Sequence, residues 1–454
     1  MFGFRKKYQI GDGINWFKDV VNDAEHTDRI SEVLRIKEYL LRKHKILYKP
    51  NFNHKLEIYD SAKIVLNIIQ SVLNSHISYL IGNPISYNGN ANVVSKYNSV
   101  YKRGSYNKTD YEVVKDLYTY SNAFEYVYLD PVDNNVKSKI IANEDSNPVY
   151  DDAGNYTHFI EHWRDSFSSD EYFVVYYHDR VETYKNDKLT DTKINLSGSL
   201  PIHYSGVNKG FYRQYGEPLV HDLIPIVDAI EAVISRLDDA VNVYGLNPIG
   251  VVTGKQISSK IPKEAIGVTL NLDEGNDFKF ATANQDYQSL KLELDTLWQQ
   301  FYAISCVPAS QMGQINITNV GETVLRLLYS KMDDKAKETM IALKDGLFKR
   351  CDIIRKLLTL SGVNFTDDDY DTLDMNFNVN RPIDTHSLME EMFIQWQMGA
   401  ISIQTIVDQS PYTVDTVNEM KRIEEERNQK ASVEVNKNFG NDFGNNVGNM
   451  GTPE

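Results

Sequence analysis

The stretch that most constrains this chain is residues 217–362. Its hydrophobic spacing predicts a long helix, a compact β-rich insert, a second helix, a polar loop and a third, very long helix. From 217 to 244, Leu219, Leu223, Ile226, Val227, Ile230, Val233, Ile234, Leu237 and Val241 follow the 3–4 spacing of a buried stripe. A helix of that span is about 42 Å long. Pro225 either kinks it or marks its true first turn. Short β runs follow at 249–253, 267–272 and 278–281, and helical spacing returns over 286–305 through Leu290, Leu294, Leu297, Phe301 and Ile304. Residues 308–322 are polar, with two glycines and two asparagines, and long loops of that kind inside compact proteins are usually functional or disordered. The pattern over 323–361 predicts one helix of about 58 Å. Long helices with almost no chemistry-bearing side chains suggest a part that spans or lines something.

Charge divides this region. Residues 217–244 carry Glu217, Asp222, Asp228, Glu231, Asp238 and Asp239 against Arg236 alone, whereas 323–361 carry nine Lys or Arg against five Asp or Glu. Heptad spacing puts Lys335, Lys349 and Lys356 on one face, a pattern that most often means a solvated surface. The whole chain has 48 basic and 63 acidic residues, a net charge of −15. A balance so acidic argues against strong non-specific nucleic-acid binding. With 454 residues, the chain is long enough for two or more packed units.

Elsewhere the spacing predicts helices over 28–47 and 58–81, the latter closing at Gly82-Asn83-Pro84. After a helical stretch near 110–121, strands are expected at 124–129, 136–142, 156–163, 171–177 and 180–184, separated by Asp- and Asn-rich turns. This antiparallel unit is acidic: residues 110–200 hold 18 acidic and 8 basic side chains. Two more helices are expected over 385–430, broken at Gly399–Ser402 with Ser402 as N-cap. The Asn- and Gly-rich tail from 431 reads as disordered.

Enzyme motifs fail on geometry. His158, Glu161 and His162 match the H-x-x-E-H zinc string, but the surrounding pattern is strand. Residues four apart in a strand lie ~13 Å apart, too far to share a zinc ion. Residues 250–256 (GVVTGKQ) have one residue too few between the glycines for a phosphate loop, and Gln follows the Lys. Cys306 and Cys351 lack ligand spacing and read as reduced thiols in apolar helical patterns. The N-terminus lacks a secretory apolar core and no run of ~18 apolar residues is present, so a cytosolic setting without a membrane span is expected.

Several segments resemble one family. Residues 79–87 (YLIGNPISY) resemble the YL-x-G-x-P-I-x-Y signature of tailed-bacteriophage portal proteins of the SPP1 type. The basic run and YKPNFN of 42–53 resemble that family's lead-in, and 319–332 (NVGETVLRLLYSKM) resemble the stretch after its tunnel loop. Residues 399–405 (GAISIQT), followed by the acidic-basic helix to Glu424, Glu425 and Glu426, resemble its ending. The chain departs at Val320, where Ser is frequent, at Asn122, where Gly is common, and in a short span between 245 and 285.

The resemblance implies an α+β portal fold. Its parts would be an α/β wing (1–216, with a strand near 373–379), stem helices at 217–244 and 286–306, and a β-rich clip at 245–285. A tunnel loop (307–322), a long helix (323–361) and a helical crown (380–430) would complete it. It implies a homo-oligomeric ring, typically of twelve subunits, at one capsid vertex of the virion, assembled in the host cytoplasm. The ring would pass double-stranded DNA during packaging and ejection. Its partners would be the terminase large subunit, head-completion and tail adaptor proteins, and major capsid and scaffolding proteins; no cofactor is implied. On that map Asp228, Glu231, Asp238 and Asp239 form an acidic stem face that repels DNA or pairs between subunits. Gln314, Asn316, Thr318 and Asn319 make weak contacts at the narrowest point, and Lys335, Lys349 and Lys356 offset acidic neighbours or meet passing phosphate. The competing readings are a virion adaptor without a DNA channel and a zinc hydrolase using His158, Glu161 and His162.

Overall fold

The computed structural model describes residues 15–54, 57–151, 153–209, 214–241, 249–253, 277–281, 287–309, 322–381, 385–410, 412–413 and 416–427. The chain forms two units, one of residues 1–317 with 329–381 and one of 318–328 with 382–454. The fold is α+β, as expected.

In the first unit, α1 (Trp16–Val21) leads into α2 (Ala24–Leu40), where the Asp23 carboxylate accepts the Ala24 N–H at 2.8 Å. The helix expected to reach 47 stops early because Arg42 takes a φ of 68°, and Lys45–Tyr48 form a separate 3-10 turn. Arg42 and Lys43 donate their N–H groups back to the carbonyls of Tyr39 and Glu38, the pairing of a left-handed helix stop. A hairpin of β1 (Phe52–His54) and β2 (Glu57–Tyr59) follows. The helix expected over 58–81 is only α3 (Ile68–Ile81); residues 60–67 form neither helix nor strand.

Next come β3 (Ser86–Asn88), α4 (Ala91–Gly104) and α5 (Tyr106–Tyr120). Asn90 caps α4 by accepting the Asn92 N–H at 2.9 Å. Eight strands follow: β4 (Asn122–Leu129), β5 (Val136–Ile141), β6 (Ser146–Tyr150), β7 (Tyr156–Arg164), β8 (Glu171–Tyr176), β9 (Arg180–Lys185), β10 (Lys188–Ile194) and β11 (Ile202–Ser205). All five expected strands form; β6, β10 and β11 are additional. They make antiparallel sheets ordered β11-β4-β5 and β10-β9-β8-β7-β6. Successive strand residues face opposite ways. Phe159 and Tyr176 therefore pack on Phe124 and Ile141 of the smaller sheet, while Ile160, Phe173 and Val175 receive Phe17, Val20 and Val21 of α1.

The second half of the unit holds α6 (Leu219–Ala240), the pair β12 (Ile249–Thr253) and β13 (Asp277–Ala281), then α7 (Tyr287–Ser305) and, from Tyr329 on, α8 (Glu322–Leu360). Pro225 lies inside α6, which begins after Pro218, so it does not mark the first turn. The run expected at 267–272 lies outside the described residues. Cys351 is buried in α8, but Cys306 is half-buried beyond the end of α7, with a φ of 58°. After α9 (Asp367–Tyr370), β14 (Asp374–Asn376) pairs with β3, so a strand forms where one was expected near 373–379. Tyr329, Met332, Ala336, Leu343, Leu347, Ile354 and Leu357 give α8 a buried stripe that shares one core with Leu73, Val113, Leu223 and Phe301.

In the second unit, α10 (Thr385–Gln397) ends before Gly399, whose φ is 69°. The Ser402 hydroxyl caps α11 (Ile403–Gln409) by accepting the Thr405 N–H at 3.2 Å, as its sequence predicts. The expected second helix is two, since 416–427 is again helical after non-helical residues at 410, 412 and 413.

Candidate functional site

The acidic side of α6 does something the sequence reading did not foresee. Glu231, Ser235 and Asp239 stand one turn apart and accept the backbone N–H groups of Leu66 at 2.7 Å, Ile64 at 3.0 Å and Ala62 at 2.7 Å. Alternate residues of an extended chain advance ~6.6 Å, and four helical residues advance ~6.0 Å. The periods match closely enough for the extended segment to run antiparallel along the helix with each inward N–H satisfied. Val65 and Ile64, β-branched, suit the extended form. This explains why 60–67 is not helical.

The expected acidic stem face is therefore corrected in part. Glu231 is fully buried, and its Oε1 lies 2.6 Å from Nδ1 of His44, itself fully buried. Burial pushes the Glu231 carboxyl up, opposed by the Leu66 and His44 hydrogen bonds. Asp239 also pairs with Lys49. Asp228 is partly buried, and desolvation raises its pKa. Asp238 is exposed, as is Asp222. A buried carboxylate that satisfies backbone donors cannot also face a lumen.

On α8, Lys335 pairs with Glu338 at 3.0 Å and Lys349 with Asp345 at 2.6 Å. Lys356 Nζ lies 3.3 Å from the Ser199 hydroxyl. Two of the three cations thus have acidic partners on their own helix. Gln314, Asn316, Thr318 and Asn319 lie outside the described residues.

The sequence reading missed Arg350, which it counted only among the nine bases of the long helix. Arg350 is fully buried, donating from Nε to Glu125 at 2.9 Å and from Nη1 to Tyr101 at 3.0 Å and to Asp110. The Tyr204 hydroxyl donates to Glu125 at 2.6 Å, and the guanidinium lies 5.2 Å from the Tyr106 ring centre. Burial pushes the Asp110 carboxyl up, opposed by Arg350. The cluster joins α8 to α4, α5 and the smaller sheet. The signal was present: Arg350 falls on the apolar stripe between Leu347 and Ile354, where a charge needs a buried partner.

The residues of the zinc string lie on β7, as the strand reading predicts. His158 meets the Trp16 and Tyr177 rings at centroid distances of 5.2 and 5.1 Å. Glu161, on the opposite face, accepts Lys139 at 2.6 Å and Tyr176 at 2.9 Å. His162 lies 3.0 Å from Glu171. Among the described residues no group of three or more His, Cys, Asp or Glu could hold a metal ion.

A family model described as "Phage portal protein, SPP1 Gp6-like" matches residues 21–432. The chain belongs to this portal family. Solved structures similar to it come from gene transfer agent (GTA) particles. The "Neck of empty GTA particle computed with C6 symmetry" matches at a TM-score of 0.47 and 10% identity, covering 74% of this chain and 86% of that one. The "Virion of native gene transfer agent (GTA) particle" gives 0.46 and 10%, covering 74% and 87%. The "Neck of native GTA particle computed with C12 symmetry" gives 0.47 and 10%, with the same shares of 74% and 87%. No curated protein sequence matches the chain. As a portal-family member the chain is a phage virion component with a portal or connector role. Among the described residues, no helix is long and apolar enough to cross a membrane.

Proposed function

We propose that the chain assembles into a ring, of twelve subunits on the family pattern, that forms the channel at one capsid vertex. Double-stranded DNA passes inward through it during packaging and outward at ejection. ATP hydrolysis belongs to a separate terminase that docks on residues 245–285, where neck or tail proteins later bind. Capsid and scaffolding proteins meet the ring within the host cytoplasm, and the chain itself performs no catalysis. Residues 1–216 with β14 act as the wing, α6 and α7 as the stem, 307–322 as the tunnel loop, α8 as its supporting helix and 380–430 as the crown.

The observation that carries this reading is the portal-family match over residues 21–432. The order of α6, the β12–β13 pair, α7 and α8 supports it. Negative-stain microscopy of the purified full chain tests it. The expected image is a large ring with a central hole of duplex-DNA width. A ring closed at its centre would favour a virion adaptor, and particles without rings would overturn both.

A further inference from the structure

The chain passes between its two units at three places, two of which border described residues of the first unit: 328/329, within the N-terminal part of α8, and 381/382, after β14. Both borders converge on the end of α3. The buried Tyr79 ring stacks on the ring of Tyr329, with centroids 5.9 Å apart and planes 15° from parallel. The Tyr79 hydroxyl donates to Asp333, one turn further along α8. The second oxygen of Asp333 lies 3.5 Å from Nη1 of Arg381, the last residue before the other crossing.

The backbone of the same helix end holds the chain before the second crossing directly. The Asn380 N–H donates to the Tyr79 carbonyl at 2.7 Å, and Asn83 Nδ2 donates to the Asn378 carbonyl at 3.1 Å. Gly82 permits the approach: a Cβ there would lie 2.7 Å from Asn380 Nδ2. The Gly and Asn of the YLIGNPISY stretch thus have a concrete task, namely holding residues 378–381 against α3.

We propose that Tyr79, Asp333 and Arg381 form an anchor that couples the two crossings, so that loosening the start of α8 also loosens the chain where it leaves at 381. Simple packing would hold each crossing independently. Here one phenol and one carboxylate are shared by both, and the side chains of Asp333 and Arg381 are only 21% and 20% exposed, a setting that strengthens polar links. Coupling of this kind is reciprocal, so a push on either crossing reaches the other. The residues preceding α8 are those assigned above to the tunnel loop, and those following 381 to the crown. The anchor itself rests on neither assignment, so failure to see rings leaves it standing.

Hydrogen exchange on the full chain, followed by mass spectrometry, tests the coupling. Tyr79→Phe keeps the ring stack and removes the hydroxyl. It should speed exchange about tenfold in both 322–333 and 374–384, as expected for losing one partly buried hydrogen bond to a charged group. Peptides from α6 serve as reference and should not change. Arg381→Gln, placed at one crossing, should speed exchange at the other, in 322–333. The double variant should exceed the larger single effect only slightly, because both act through Asp333. The proposal is overturned if Arg381→Gln affects 374–384 alone, if the two effects add fully, if Tyr79→Phe changes neither region, or if the α6 peptides speed up equally.

Discussion

Gly346 sits in the middle of α8, where alanine would ordinarily be the better helix former by ~1 kcal/mol. Its Cβ position, however, is occupied by the Tyr204 ring, which lies directly on the helix backbone so that its hydroxyl can reach Glu125. Gly346→Ala should therefore destabilise the protein by about 1–3 kcal/mol through overpacking, seen as a lower denaturation midpoint in urea; equal or higher stability would contradict the packing. The sequence shows a glycine in a helical pattern but not the ring against it, because Tyr204 is 142 positions away and its direction depends on β11. His76 makes a second case. Its Nε2 is 2.8 Å from the Ser305 carbonyl, so that nitrogen carries the hydrogen, while Nδ1 is buried without a partner. Burial lowers its pKa to about 4 from the usual 6.5. The unfolded chain then binds the proton first as pH falls, so stability is lost between about pH 6.5 and pH 4, by on the order of 3 kcal/mol. His26, lowered to about 3, and His203 add to the same slope. In His76→Gln, the fall in melting temperature from pH 7 to pH 4 should be shallower than in the parent protein; an unchanged slope would rule out this role.

Among the elements, the pairing of α6 with residues 60–67 carries the clearest consequence. Ser235→Ala with Asp239→Ala removes two of the three acceptors that hold the extended segment. Each buried N–H left without a partner costs about 1–3 kcal/mol, so the double variant should lose several kcal/mol, and protease should cut first within 60–67. Cutting elsewhere, with 60–67 protected as before, would show that the segment is held by its side chains instead. This element also shows what was legible. The stripe of α6, the length of α8 and five strands could be read because each hides a regular apolar face. The helix predicted over 58–67 could not be corrected from sequence, since Ile58, Ile64 and Ile68 fit a helical spacing and the donors' partners lie in α6, over 160 residues away. The β10 strand was missed for the opposite reason: all seven of its residues are exposed, so it has no hidden face to leave a pattern. For the candidate site, sequence located the acids of α6 but assigned Glu231 outward, because composition along a helix does not tell which neighbour covers it. Arg350 needed only attention to the stripe in which it falls.

For the whole molecule, the charge contrast between α6 and α8 takes a different form from a row of free acids opposed to a row of free cations. Glu231 and Asp239 are used within the subunit, and Lys335 and Lys349 are matched by Glu338 and Asp345 on their own helix. Surface pairs three or four residues apart on one helix, such as these two of α8, contribute ~0–1 kcal/mol each. Replacing Lys335, Lys349 and Lys356 together by Gln should therefore change the stability of the subunit little. It does, however, leave Glu338 and Asp345 without their cations, which makes an already acidic chain, −15 overall, more negative by three charges. A ring repeats that change in every subunit, so its effect on assembly and on a polyanion passing through exceeds its effect on one chain. The expected result is a triple variant whose melting temperature stays within a few degrees of the parent's, but whose ring yield or DNA filling falls. Raising the salt concentration should partly restore ring yield, because screening weakens the added repulsion. Electron microscopy of assembled particles and a nuclease-protection measurement of packaged DNA read the two outcomes separately. Parent-like ring formation together with parent-like DNA filling would show that these lysines serve only as the solvated face of α8.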